Sequence, residues 1–266
     1  MMNVLRMECF RMRKSFSTWI ILAVYVCLYA LAGGVMGLLT GDSGISLAFR
    51  TELFGAADEG VTDFAELFNS CMMGNTLVLI TSVFLGMHTT AHTVTGFQKN
   101  LAGVKRKSYF VFSDLCICLL FNCILLLLGM AVLRAVMLVT HATVTLSSMF
   151  HLLRYCGVYL LLSTAYGMLP VLTAALTRSR IAAIAVPVVY CTMGGNLLYM
   201  ILNYFAGSVL GLEGCSVESY APYGNICSLL FNASAEECTR AAVSAVIFIL
   251  VCICISVHAG RKRDAA

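Results

Sequence analysis

The sequence predicts an all-α polytopic membrane protein: six transmembrane helices, both termini cytoplasmic, and one membrane domain spanning residues 1–266. Three observations predict it. The 266 residues are 60% hydrophobic and only 11% charged, against roughly 25% charged in soluble domains. The apolar residues fall in long blocks rather than short periodic stripes. The basic residues are segregated into alternate connecting segments. A run of about 20 apolar residues crosses a hydrocarbon core of about 30 Å. A span must also satisfy its own backbone hydrogen bonds, which selects helix. Membrane barrel strands alternate polar and apolar residues, and Leu115 to Met130 does not alternate.

Residues Met1 to Ser15 carry Arg6, Arg11, Arg13 and Lys14, with Leu5, Met7, Phe10 and Met12 between them. This pattern suits a basic amphipathic segment lying on the membrane surface. The first span is predicted over 16–39. Ala30-Leu31-Ala32 mimics a cleavage site, but the apolar run continues past it at full span length. An acidic segment follows, Gly41 to Ser70, with six acids and a single base, Arg50. Short amphipathic helices are expected there from the spacing of Phe64, Leu67 and Phe68.

The second span is predicted over 71–92. Lys99, Lys105, Arg106 and Lys107 form the basic loop after it. The third and fourth spans are expected over 110–133 and 152–176. Arg178 and Arg180 make a short hinge before a fifth span over 181–206. Gly207 to Glu237 is a second acidic loop, and the sixth span is expected over 241–258, ahead of Arg261-Lys262-Arg263. With the N-terminus inside, the inner segments hold thirteen of the seventeen Lys and Arg residues. The outer side keeps Arg50, Arg134, Arg154 and Arg240. Inner loops are the basic ones, so this distribution sets the orientation.

Most of the 13 cysteines lie inside apolar blocks, where free Cys acts as a small hydrophobe. Cys215, Cys227 and Cys238 share the second acidic loop. Cys215 and Cys227 are a possible disulfide on an oxidising side, with Cys238 the alternative partner for either.

No Gly-x-x-x-x-Gly-Lys-Ser/Thr stretch occurs, so no P-loop for ATP is present. His88 and His92 share one face of the second span, but no Glu follows His88 and no third ligand is evident. Packing or hydrogen bonding is their expected role, with no metal site. The predicted membrane centre holds no Asp, Glu, Lys or Arg, whereas ion-coupled carriers place an ionisable group there. Asn122, Asn196, Thr164 and Tyr166 are read as interhelical hydrogen-bonding residues. No enzymatic chemistry is expected on this chain.

The layout resembles an ABC-2 type permease, the membrane subunit of certain ATP-binding cassette transporters. The resemblance rests on the basic entry into the first span (Met7 to Trp19), on Gly96-Phe97-Gln98-Lys99-Asn100-Leu101 ahead of a basic turn, and on the six-span plan with a large loop before the last span. Thr95 stands where the family often has an acid, and Asp114 where it often has a Lys. Small permeases of this length resemble exporters of antimicrobial peptides and the immunity permeases of bacteriocin producers.

The resemblance implies roles for several residues. Arg6, Arg11, Arg13 and Lys14 would belong to an interfacial elbow helix. Gly96, Phe97, Lys99, Asn100, Leu101, Lys105, Arg106 and Lys107 would contact a separate ATPase subunit. That partner would hold ATP and Mg, leaving this chain without a cofactor. A second permease copy would complete a homodimer in the bacterial cytoplasmic membrane, and no nucleic-acid partner is expected. The substrate would be an amphipathic or antimicrobial peptide or another hydrophobic molecule, and the acidic outer loops would attract a cationic amphipathic peptide. A membrane immunity or sensor protein that binds a peptide without moving it is the alternative.

Overall fold

The computed structural model describes residues 2–40, 62–64, 68, 75–94, 108–140, 144–145, 148–177, 179–210, 217–229 and 233–262. The principal helices are α1 (Met2–Lys14), α2 (Phe16–Thr40), α3 (Thr76–Val94), α4 (Ser108–Val139), α5 (Met149–Thr177), α6 (Arg180–Val189), α7 (Gly195–Leu210), α8 (Pro222–Ser228) and α9 (Ala235–Lys262). Two short strands, β1 (Thr62–Asp63) and β2 (Val144–Thr145), pair in parallel. That pairing puts the segments after the first and third apolar runs on one side of the bundle.

The protein is a helical, multi-pass membrane protein. Among the described residues, four helices are long and apolar enough to cross a membrane: Phe16–Val35, Tyr109–Val139, Met149–Thr177 and Ala235–Ala259. A bent pair, Arg180–Thr192 with Gly195–Phe205, makes a fifth if counted as one span, and Thr76–Ala91 is a shorter apolar helix. Large side chains face outward along these helices, including Phe16, Leu127, Ile181 and Met200. A water-soluble fold would bury such surface; here it faces lipid.

α5 is the central helix, packed against α3, α4, α6, α8 and α9, while α2 lies along α4. Two glycines permit the tightest crossings. A Cβ on Gly86 of α3 would stand 2.7 Å from Ile184 and 2.9 Å from the Ala183 carbonyl oxygen, so only Gly fits where α3 crosses α6. At Gly167 of α5 a Cβ would collide with the Cys118 sulfur and Leu85. Beside that crossing, Thr81 Oγ1 donates to Asn122 Oδ1 at 2.5 Å, and Asn122 Nδ2 donates to Thr164 Oγ1 at 3.4 Å. One buried amide therefore joins α3, α4 and α5, in the bridging role expected for it.

The helices differ from the predicted spans in specific ways. The fifth span is not a single helix over 181–206. It breaks at a π-helical turn, Tyr190–Gly194, and its two halves are bent by 65°. Pro187 removes a backbone donor, and Gly194 and Gly195 weaken the helix just beyond it. The third span, α4, continues past Leu133 to Val139, because Leu133 and Met137 are buried on one face while Arg134 points outward. The sixth begins at Ala235 rather than 241. There Ser234 Oγ accepts from the Glu237 N–H at 3.2 Å and Glu237 Oε2 accepts from the Ser234 N–H at 2.8 Å, a reciprocal cap that starts the helix early.

Candidate functional site

α1 is joined to α2 through Ser15 alone and packs against α4. Its inward face presents Val4 and Glu8, one turn apart, and both are buried. Arg11 follows on the same face and is partly buried, while Arg6, Arg13 and Lys14 are exposed. The basic residues assigned to the elbow therefore divide: three face outward and Arg11 turns in.

Glu8 is 0% exposed. Its Oε2 lies 3.0 Å from His88 Nε2 on α3 and 3.3 Å from Arg11 Nη2. Arg11 Nη2 also donates to the His88 carbonyl oxygen at 2.5 Å. Asp114, in the second turn of α4 and 8% exposed, lies within electrostatic reach of both Glu8 and Arg11. α1, α3 and α4 are thus tied together by one buried set of charges. With Glu8 and Asp114 ionised against Arg11, the set balances when it holds one proton, on His88 or on an acid. Burying a net charge costs several kcal/mol per ion, which favours that balance.

The local chemistry follows from burial. Desolvation lowers the Arg11 guanidinium from its ordinary value, and Glu8 and Asp114 pull it back up. Desolvation raises the Cys9 thiol, with Cys116 and Glu8 adding to the effect, which disfavours the thiolate. Phe84 stacks on Phe121 at 3.8 Å between centroids and lies 5.4 Å from the His88 ring, which walls the charged set off from the apolar bundle. Beside it lies a cavity of about 350 Å³, lined by Arg11, Lys14, Thr18, Phe84, His88 and Arg180 among others.

The other end of α3 is built from neutral groups. Asn75, with φ of 53°, precedes α3 and donates to the Cys227 sulfur at 3.5 Å. Close by, Tyr190 and Tyr199 share a hydroxyl–hydroxyl hydrogen bond of 2.6 Å, and Tyr223 donates to Asn196 Oδ1 at 2.6 Å. Tyr166 completes the cluster, 5.7 Å from the Tyr190 ring and 6.4 Å from the Tyr223 ring. Burial pushes the Tyr223 phenol up to about 12, with Cys227 adding to it.

Gly96, Phe97, Lys99, Asn100, Leu101, Lys105, Arg106 and Lys107 lie outside the described residues, as do Cys215 and the His92 side chain. Cys227 and Cys238 are both free thiols, so the alternative pairing between those two is not made. Among the described residues no three His, Cys, Asp or Glu side chains gather as a metal site.

Sequence reasoning missed Glu8 and Asp114 as a pair and read His88 as a packing or hydrogen-bonding residue without its carboxylate partner. The available signal was each acid's isolation: Glu8 is the single acid in a basic N-terminal segment, and Asp114 the single acid in the third apolar run. A scan against protein-family models finds no match for this chain, and a search of curated proteins finds none either.

Proposed function

We propose that this chain is the permease subunit of an ATP-binding cassette exporter of the ABC-2 type, built from six spans with both termini in the cytoplasm of a bacterial cell. In this reading α3 and the bent α6–α7 pair are the second and fifth spans, and α1 is the elbow helix. Two copies form the pathway, and a separate ATPase subunit, carrying ATP and Mg, supplies the work. The substrate is an amphipathic or antimicrobial peptide, drawn by the acidic outer loops.

One observation carries the reading. α1 is fastened to the end of α3 that leads directly into Gly96–Lys107, through Glu8 and Arg11 on His88. A push on that connecting segment would be transmitted to α1 and to α4 together, which is the mechanical link an ATPase-driven permease needs. The absence of a P-loop in the sequence fits a subunit powered from outside.

Affinity purification of the full chain from its native membrane tests this. The expected result is co-purification of an ATP-binding cassette ATPase, with ATP hydrolysis stimulated by a cationic peptide. Replacing Lys105, Arg106 and Lys107 with Ala should abolish the association. If no ATPase accompanies the chain and peptide resistance persists without one, the permease reading fails and the sensor alternative stands.

A further inference from the structure

We infer that the cavity between the end of α1, the start of α2, α3 and the start of α6 is a phosphate-binding site for an anionic phospholipid headgroup. The inference is independent of any ATPase partner and rests on three features of the cavity.

The first is charge. Arg11, Lys14 and Arg180 line the cavity, and no acid is among its described lining residues. Glu8, bonded to two of the lining residues, is already held by Arg11 and His88. Lys14 and Arg180 are exposed and can turn toward a ligand, whereas Arg11 is fixed by Glu8 and the His88 carbonyl. Such an arrangement places one rigid cation at the back and two adjustable ones at the mouth. Basic pockets at the ends of membrane helices bind phospholipid headgroups.

The second is a set of hydroxyls. Ser15, Ser17 and Thr18 line the same wall, where the positive end of α2 adds to the field. Ser15 and Ser17 bond to each other at 2.6 Å. Thr18 differs. It is 5% exposed, lines the cavity, and its Oγ1 is buried with no hydrogen-bond partner among the described residues. A buried hydroxyl left unsatisfied costs about 1–3 kcal/mol; turning the side chain about χ1 would bring the hydroxyl into the cavity, where a phosphate oxygen accepting from it would recover that cost.

The third is the shape and setting. A volume of about 350 Å³ sits at the small end of ligand pockets and suits a headgroup rather than a whole lipid. Phe84, Met87 and Ala91 form the opposite, apolar wall. Just outside, Phe16 and Trp19 are exposed, with Trp19 Nε1 donating to the Arg13 carbonyl at 3.0 Å. An indole with its N–H bound and its ring outward is the usual side chain at a lipid–water boundary. A phosphate held between the cations would leave its glycerol and acyl chains beside these rings. A free phosphate would satisfy the cations and Thr18 equally, but would make no use of the aromatic rim.

The test places the full chain in phosphatidylcholine nanodiscs with fluorescent phosphatidylglycerol as the probe. The wild type should concentrate the probe. Lys14→Gln and Arg180→Gln should each weaken binding about tenfold, the effect of losing one charge-assisted hydrogen bond. Thr18→Val, which alters only the hydroxyl, should weaken it about fivefold or more. Arg13→Gln removes an equal charge from the same helix outside the cavity and should bind like the wild type. Inorganic phosphate separates the sources: failure to displace the probe supports the lipid headgroup, and displacement overturns that assignment in favour of free phosphate. Equal weakening by Arg13→Gln, Lys14→Gln and Arg180→Gln would reduce the effect to surface charge and overturn the site. So would unaltered binding in Thr18→Val, or a wild type that does not distinguish the two lipids.

Discussion

At one end of α3, Glu8, Arg11, His88 and Asp114 meet; about 20 Å along the helix axis, at the other, Tyr166, Tyr190, Tyr199 and Tyr223 meet. Both clusters join several helices, and both bury polar atoms. They differ in what happens when one member is lost. The charged end leaves an ion without its counter-charge in a low dielectric. The tyrosine end leaves a neutral hydroxyl that can rotate to another acceptor or to water. The charged end is therefore a clamp, while the tyrosine end, placed at the break between α6 and α7, is a joint whose bonds can be exchanged at modest cost.

The largest expected effect comes from breaking the clamp. Glu8→Ala should destabilise the protein by about 3–5 kcal/mol, the usual cost of removing one partner of a buried ion pair, seen as a lowered melting point in detergent. Between the two ends, Asn122→Leu removes the amide that joins α3, α4 and α5. It should cost about 1–2 kcal/mol by the same measurement, since hydrogen bonds inside membranes are individually modest.

At the joint, Tyr190→Phe should cost only about 1 kcal/mol. If its cost equals that of Glu8→Ala, the distinction between clamp and joint is wrong. The last effect appears only at high pH. Tyr223 ionises near 12 in the folded protein and near 10 when unfolded. The folded form thus holds its proton longer, and this contribution to stability is complete below pH 10 and lost as pH rises from about 10 to 12. Ultraviolet difference absorbance of tyrosinate should show a component titrating near pH 12 that is lost in Tyr223→Phe.

The same contrast explains how much could be read from the sequence. The apolar runs located the helices because hydropathy is a local property, and Ser234-x-x-Glu237 could have set the start of α9 in the same way. The break in the fifth span was also present locally, in Pro187, Gly194 and Gly195, but the continuous apolar character around it hid the interruption. Glu8 and Asp114 were not legible as a pair, because their meeting depends on α1 folding back across α3 and α4. A buried ion pair leaves no periodic trace; each half looks like an isolated polar residue near a helix end. His88 was visible as a histidine, but only the fold supplies its carboxylate. The segment Gly96–Lys107, on which the resemblance to ABC-2 permeases leans most, lies outside the described residues, so its role rests on the sequence and on the clamp that adjoins it.

The clamp requires that α1 be fastened to α3 by Glu8 and His88. A double-mutant cycle of Glu8→Gln and His88→Gln, read by unfolding in detergent, measures that link directly. The expected coupling energy is about 2 kcal/mol, within the range for residues in one buried charge network. Additive effects of the two substitutions, with coupling near zero, would contradict it.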